Sequence, residues 1–199
     1  GAEEAGLDEY DIVLHVGEEH QIVVTNKTFN VLKEIQDTSE MSYSMGNSGV
    51  ASISNTGLVK GVSTGKTTAV VNKVGTTTTS IANVTVLPEG VDIEPMALTC
   101  MSHTVVLKAN GTVWSYGVNS SYELGNGSTV SSDRPVQVKF PDGVVIKQIA
   151  VGNTHNLALD TEGNVWGWGV NSNNALGTTS SVPVKLGLKN IRKIAANND

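Results

Sequence analysis

His155-Asn156-Leu157-Ala158-Leu159-Asp160-Thr161-Glu162-Gly163-Asn164-Val165-Trp166-Gly167-Trp168-Gly169, running on through Val170-Asn171-Ser172-Asn173-Asn174-Ala175-Leu176-Gly177, is the stretch that decides the fold. It has an earlier copy. Shifting the chain by 52 residues pairs His103 with His155, Leu107 with Leu159 and Gly111 with Gly163. The same shift pairs Val113 with Val165, Trp114 with Trp166, Gly117 with Gly169, Asn119 with Asn171, Leu124 with Leu176 and Gly125 with Gly177. Matches on residues as rare as Trp and His at one offset define a repeat. Pro135-Val136 then matches Pro183-Val184, four residues shorter in the second copy, and Ile146-Lys147-Gln148-Ile149-Ala150 matches Ile191-Arg192-Lys193-Ile194-Ala195. Asp199 aligns with Thr154, so a third copy is expected to begin where the chain stops, and the chain is expected to be a fragment of a longer protein.

Each copy reads as hairpins. His103 to Leu107 and Thr112 to Tyr116 flank Asn110-Gly111, and His155 to Leu159 and Asn164 to Trp168 flank Glu162-Gly163. A tight turn ending in Gly between apolar runs signals a hairpin, because Gly tolerates positive φ. Hairpin repeats of about 50 residues are the pattern of propeller blades. With these residues in view, the segments His103–Gly125 and His155–Gly177 resemble the regulator of chromosome condensation (RCC1) repeat, seven of which close a propeller in that family. WD40 and kelch repeats fit less well, since the Gly-His, Trp-Asp and Gly-Gly pairs are missing from this sequence. The founding member of the resembled family is an exchange factor for a small nuclear GTPase. Two repeats show a blade and carry none of that activity with them.

Residues 8–87 read differently. Short apolar runs at Ile12 to Val16, Gln21 to Val24, Met41 to Met45, Val50 to Ser54, Leu58 to Val62, Thr67 to Val74 and Ser80 to Val86 alternate with turn signals such as Asn55-Thr56-Gly57. Many short strands over some 80 residues suggest a β-sandwich. The run Gly49 to Thr68, with Ala82-Asn83-Val84-Thr85-Val86 as a closing strand, resembles the bacterial Ig-like family, group 2. Residues 27–40 read as an insertion or a poorly matching segment. That resemblance implies a cell-surface or secreted protein in which such domains act as spacers or adhesion modules. The expected organisation is a tail over 1–7, the sandwich over 8–87, a linker over 88–92 containing Pro88-Glu89-Gly90, and a partial propeller over 93–199.

Composition agrees with an all-β chain. Val outnumbers Leu by 28 to 13, with 20 Thr beside them, and β-branched residues suit pleated sheet. Residues 1–92 hold 12 acidic and 5 basic side chains, and residues 93–199 hold 7 and 8. Neither half has the dense basic patch of a non-specific nucleic-acid binder, and the acidic half disfavours an anionic membrane. No apolar run approaches the length of a membrane span. The N-terminus has no signal-peptide pattern, so an exported protein has already lost its signal. With one cysteine, Cys100, an internal disulfide or Cys-based zinc site is ruled out.

Candidate sites each have a structural reading beside the functional one. Gly61 to Thr67 is one residue short of a phosphate-binding loop and runs into a β-branched strand, so it reads as a turn. Asp160, Glu162 and Asn164 could mimic a calcium loop, but their counterparts Lys108, Asn110 and Thr112 could not, which favours a hairpin turn. His103 and His155 have no metal-ligand spacing around them and read as hydrogen-bonding residues near the blade edge. His15 and His20 stand alone. Trp114, Tyr116, Trp166 and Trp168 could stack on a sugar, but alternation places them on a face that packs between blades. Cys100 reads as a small buried hydrophobe.

No catalytic, cofactor, metal or defined binding residue is expected. The expected function is a non-catalytic binding or adhesion module at a bacterial surface, for an extracellular protein or glycan, with no nucleic acid and no membrane insertion. A regulator of an enzyme or GTPase, or an accessory region of a larger extracellular enzyme, is the alternative. Because two blades cannot close a ring, self-association through exposed blade edges is also expected.

Overall fold

The computed structural model describes residues 5–28, 31–34, 41–75, 77, 79–170, 177–188 and 190–196. The repeat positions Asn171 and Leu176, most of the expected insertion, and the last three residues of the third copy lie outside the described residues. Every regular element among the described residues is a β-strand. The chain divides into two compact units, Gly1–Val91 and Asp92–Asp199.

The first unit is a sandwich. Strands β2 (Asp11–His15), β6 (Met41–Met45), β9 (Gly65–Lys73) and β10 (Thr79–Leu87) form a sheet in the order β2-β10-β9-β6. A second sheet joins β3 (Glu19–Gln21), β7 (Ala51–Ile53) and β8 (Leu58–Gly61) in the order β3-β8-β7. A third joins β1 (Ala5–Leu7), β4 (Val24–Thr28) and β5 (Val31–Glu34) in the order β1-β4-β5. The long strand β10 holds the unit together, because it pairs with β9 antiparallel and with β2 parallel. Alternation sends Ile12 and Leu14 of β2, Ala69 and Val71 of β9 and Ala82 and Val84 of β10 into one core with Val24, Val50 and Val59.

Four expectations change here. Ala5–Leu7, expected as tail, pairs with β4, and Leu7 enters the core at 5 % exposure, so burial of that one side chain holds the segment. The expected strand at residues 21–24 is interrupted. Ile22 N bonds Gly57 O while Val23 N and O bond Asp8 Oδ1 and N, and the chain passes from the second sheet to the third between them. Part of the expected insertion is also strand, since β4 and β5 pair as a hairpin. Pro88–Val91, expected as linker, is a turn closed by Val91 N to Pro88 O and tied to the sandwich by His15 Nε2 at 3.0 Å from Val91 O.

The second unit is two four-stranded antiparallel blades that do not close a ring. The first runs β11 (Met96–Cys100), β12 (His103–Leu107), β13 (Val113–Gly117) and β14 (Ser132–Gln137). The second repeats it as β15 (Ile146–Val151), β16 (His155–Asp160), β17 (Val165–Gly169) and β18 (Ser180–Lys185). The irregularity of the outer strand repeats as well. The outermost strand bulges in both copies, at Asp133-Arg134-Pro135 opposite Tyr116 and at Ser181-Val182-Pro183 opposite Trp168. A serine braces each bulge, Ser132 Oγ donating to Arg134 O and Ser180 Oγ to Val182 O, both at 2.7 Å. A bulge and a Pro on an edge strand obstruct pairing with another chain. The outer blade edge, expected to mediate self-association, is therefore built against it.

Beyond β18, Ile191 N bonds Gly163 O at 3.2 Å, just as Ile146 N bonds Gly111 O at 3.1 Å. Residues 190–196 thus lie where the first strand of a following blade would run.

Gly117 and Gly169 end the return strands at φ 114° and 102°. In each copy the preceding hairpin crosses so near that a Cβ would stand 2.8 Å from the Cα of His103 or His155. Gly169→Ala is expected to destabilise the repeat unit by about 1–3 kcal/mol, read as a lower denaturant midpoint, because both the backbone angle and the contact exclude a side chain.

Candidate functional site

The chemistry-bearing side chains of the repeats converge on the seam between the two blades. Strands β16 and β17 turn Asn156, Ala158, Asp160, Trp166 and Trp168 to one face, and all five are buried. Trp168 is 0 % exposed. Phe140, arriving from the first blade, stands edge-on to both indoles, at 5.8 Å from Trp166 and 5.7 Å from Trp168, with interplanar angles of 82° and 85°. Edge-to-face rings at this separation attract beyond their area burial. Gly125 (φ 62°) leaves the space, since a Cβ there would sit 2.8 Å from the Trp168 ring.

Polar groups lock the same seam. The Glu123 carbonyl accepts from Trp168 Nε1 at 2.9 Å and from Asn156 Nδ2 at 2.8 Å. The Asn156 Oδ1 stands 2.8 Å from His103 Nε2, which fixes the proton on that nitrogen because the amide oxygen only accepts. The Glu123 segment is itself held from within. Glu123 Oε2 accepts Ser121 N at 2.7 Å, Asn119 Oδ1 accepts Leu124 N at 2.9 Å, and Ser115 Oγ donates to Leu124 O at 2.7 Å.

The histidines therefore sit on inner strands, with His103 bonding across the seam and away from the blade edge where hydrogen bonding was expected. Burial, followed by the nearby His103, holds the His155 imidazole below its ordinary value of 6.5. Cys100 is buried and donates Sγ–H to Asn153 Oδ1 at 3.1 Å, one position along from the histidine seam. In the first unit His15 Nδ1 lies 2.5 Å from Glu18 Oε1, and His20 Nε2 lies 3.2 Å from Asp8 Oδ2.

The acidic loop is wired as a turn. Asp160 Oδ1 accepts Glu162 N and Asn164 N, both at 2.9 Å, and Oδ2 accepts Asn164 Nδ2 and Trp166 Nε1, both at 3.0 Å. Both carboxylate oxygens face N–H donors, which is the wrong polarity for a cation. In the first copy a different residue does the same work. Asn110 Oδ1 accepts Thr112 N at 3.1 Å, and Thr112 Oγ1 accepts Trp114 Nε1 at 3.1 Å. Gly65 and Lys66 belong to β9, so the glycine-rich segment has no helix behind it. Burial lowers Lys66 to about 8, with Asp11 opposing the shift. Among the described residues no group of three His, Cys, Asp or Glu is placed to hold a metal ion.

The four aromatic residues part company. Trp166 and Trp168 are packed between blades, as alternation requires, whereas Trp114 is half-buried and Tyr116 is 37 % exposed. The Lys108 ammonium lies 4.5 Å above the Trp114 ring. Sequence reasoning missed Phe140, because the second copy is shorter there and offers no aromatic match. It also missed Asn156, whose counterpart is Thr104, and the Glu123 carbonyl, because a backbone acceptor leaves no residue signal.

An Ig-like sandwich followed by an open pair of propeller blades is thus the class of molecule. Residues 8–86 match the family Bacterial Ig-like domain (group 2), and residues 110–159 and 146–175 match the regulator of chromosome condensation (RCC1) repeat, so the chain joins one such domain to RCC1 repeats. It is 43 % identical over 77 residues to the RCC1 domain-containing protein RUG3, mitochondrial, of Arabidopsis thaliana, covering 39 % of this chain and 17 % of that one. It is 33 % identical over 98 residues to the Protein RCC2 homolog of Xenopus laevis, covering 47 % and 19 %. The chain spans less than a fifth of the length of either. Among solved structures it resembles human WBSCR16 (TM-score 0.49, 15 % identity, 97 % of this chain and 58 % of that one). It also resembles Prp20p from Saccharomyces cerevisiae (TM-score 0.43, 16 % identity, 85 % and 44 %), a structure described together with that protein's binding to Gsp1p and histones.

Trp168→Ala is expected to cost about 3–5 kcal/mol in chemical unfolding, since it opens a cavity in the seam and removes one of the two indoles that Phe140 packs against. Stability should also depend on pH. Unfolded His155 takes up a proton below 6.5 while the folded side chain resists it, so the repeat unit is most stable above that value and loses stability as pH falls through it. His155→Gln should flatten this dependence in denaturant titrations between neutral pH and about pH 5.

Proposed function

We propose that this chain is a non-catalytic protein-recognition or regulatory module, with the repeats presenting loops and the Ig-like unit acting as a spacer. One observation carries this reading. At one end of the first blade three apolar side chains stand in solvent on a braced scaffold: Met101 at 81 %, Val130 at 72 % and Val118 at 38 % exposure. Val118 N bonds Ser102 O at 2.9 Å, and the fully buried Asn119 donates Nδ2 to Ser128 O at 2.7 Å and Val130 O at 3.1 Å. Met101 holds φ 52°, a conformation that disfavours its side chain. Exposed apolar groups on rigidly supported loops suit a protein partner better than solvent. The polar side chains of the seam are engaged in the fold itself, which favours binding over catalysis.

A bacterial surface or extracellular location is supported by the match to the bacterial Ig-like family. Regulation of a GTPase through the same loops is the second reading, favoured by the RCC1 repeats and by the Gsp1p binding of Prp20p.

The test is surface plasmon resonance with the whole chain against purified extracellular proteins, glycans and a small GTPase. Met101→Asp and Val130→Asp, both on exposed positions, should keep the melting temperature and weaken binding to the protein partner by roughly tenfold or more. Binding that ignores both substitutions, or turnover of a ligand by this chain, overturns the reading. Surface labelling of intact cells of the native organism decides the location.

A further inference from the structure

The two copies agree where a residue builds the blade, and they part along one side of the first blade. Asn126 follows Gly125 where Thr178 follows Gly177. Counted from Pro135 and Pro183, Gln137 stands where the second copy has Lys185, Lys139 where it has Gly187, and Phe140 where it has Leu188. Asp142 lies in the stretch from Pro135 to Ile146, which is longer than its counterpart from Pro183 to Ile191. The backbone beneath is nevertheless the same. Val138 N bonds Val113 O at 2.9 Å, just as Leu186 N bonds Val165 O at 2.8 Å. The blade itself therefore does not require these side chains.

They line one cleft of about 590 Å³, together with Val136. That volume falls within the range of small-ligand sites, about 300–1,000 Å³. Its frame is fixed by the backbone, through Lys139 N to Gly125 O at 3.0 Å and Gly127 N to Ser181 O at 2.9 Å. Phe140 is half-buried, so it closes the seam against the two indoles and also lines the cleft. Asn126 Oδ1 accepts Ser128 N at 3.2 Å, which orients the amide and leaves its Nδ2 as a donor. Gln137, Lys139 and Asp142 are exposed, and among the described residues their side chains enter no hydrogen bond or ion pair. Donors and acceptors thus stand together over an apolar floor, and the fold uses few of them.

The lining selects the ligand class. The Lys139 ammonium and the Asp142 carboxylate are opposite in sign, so a charged ligand would meet one repulsion for each attraction. A hydroxyl donates and accepts at once, which suits a mixed set of amide, ammonium and carboxylate groups. The C–H face of a sugar ring suits Val136 and Phe140. We propose that this cleft binds a neutral pyranose, with its hydroxyls held by Asn126, Gln137, Lys139 and Asp142. The site uses none of the residues around Met101, so the inference goes beyond recognition of a protein and does not rest on it.

The experiment is an amide-resolved NMR titration of the whole chain with the methyl glycosides of glucose, galactose, mannose and N-acetylglucosamine. At least one should bind with a Kd on the order of 1 mM, the scale that a dozen ligand atoms allow. The shifted amides should fall between Asn126 and Asp142. Gln137→Ala and Asp142→Ala should keep the melting temperature and each weaken binding about tenfold. Thr178→Ala, at the counterpart of Asn126 in the second copy, should leave binding unchanged. The proposal is overturned if no glycoside moves these amides at concentrations far above that Kd, or if binding survives both Gln137→Ala and Asp142→Ala. Acetate or glycine binding at this cleft in preference to the glycosides overturns the neutral class.

Discussion

The repeat unit depends on one backbone carbonyl. Glu123 O takes two hydrogen bonds from the neighbouring blade, one from Trp168 and one from Asn156, at a point where both donors are fully buried. A buried indole N–H without a partner costs more than the bond itself contributes, so the loop that offers this carbonyl must be rigid. Asn119, Ser115 and the Glu123 carboxylate supply that rigidity from three directions. The same bracing carries through to the blade end, where it positions Met101, Val118 and Val130. Packing between blades and presentation of a surface are thus two results of one hydrogen-bonded loop.

Blades of this kind must hide two faces and two edges. The outer edge is dealt with locally, by a bulge and a proline that recur in both copies. A face is dealt with only by another blade. The second blade's inward face is closed by Phe140, but its counterpart on the first blade, around Trp114 and Tyr116, stays open although it has nearly the same sequence. Burial there is a property of the neighbour and not of the residue.

The sandwich unit solves the same problem by closing sheets on one another. Its last strand, β10, lies between β9 and β2 and contributes Ala82, Val84 and Val86 to the core. Among the described residues of this unit, Asp8, Glu9, Asp11, Glu18, Glu19 and Glu89 stay on the outside, where they favour solubility and are indifferent to fold.

Much of this was legible in the sequence. The 52-residue offset marked both blades, the Gly that closes each repeated turn marked their hairpins, and strict alternation put Trp166 and Trp168 on a shared inward face. These are local properties, set by backbone geometry within a few residues. Turn residues likewise marked most strands of the sandwich. Leu7, by contrast, looked like part of a tail, because a three-residue strand has no period to read and gains its order only from the core it enters. Phe140, Asn156 and the Glu123 carbonyl were invisible for the same reason, since each acts on a partner far away in the chain. Repetition in the sequence determined that the blades would be alike. Only the tertiary structure decided that aromatic residues at matching repeat positions are core in one copy, at Trp166 and Trp168, and part-exposed in the other, at Trp114 and Tyr116, because exposure depends on what packs against a face.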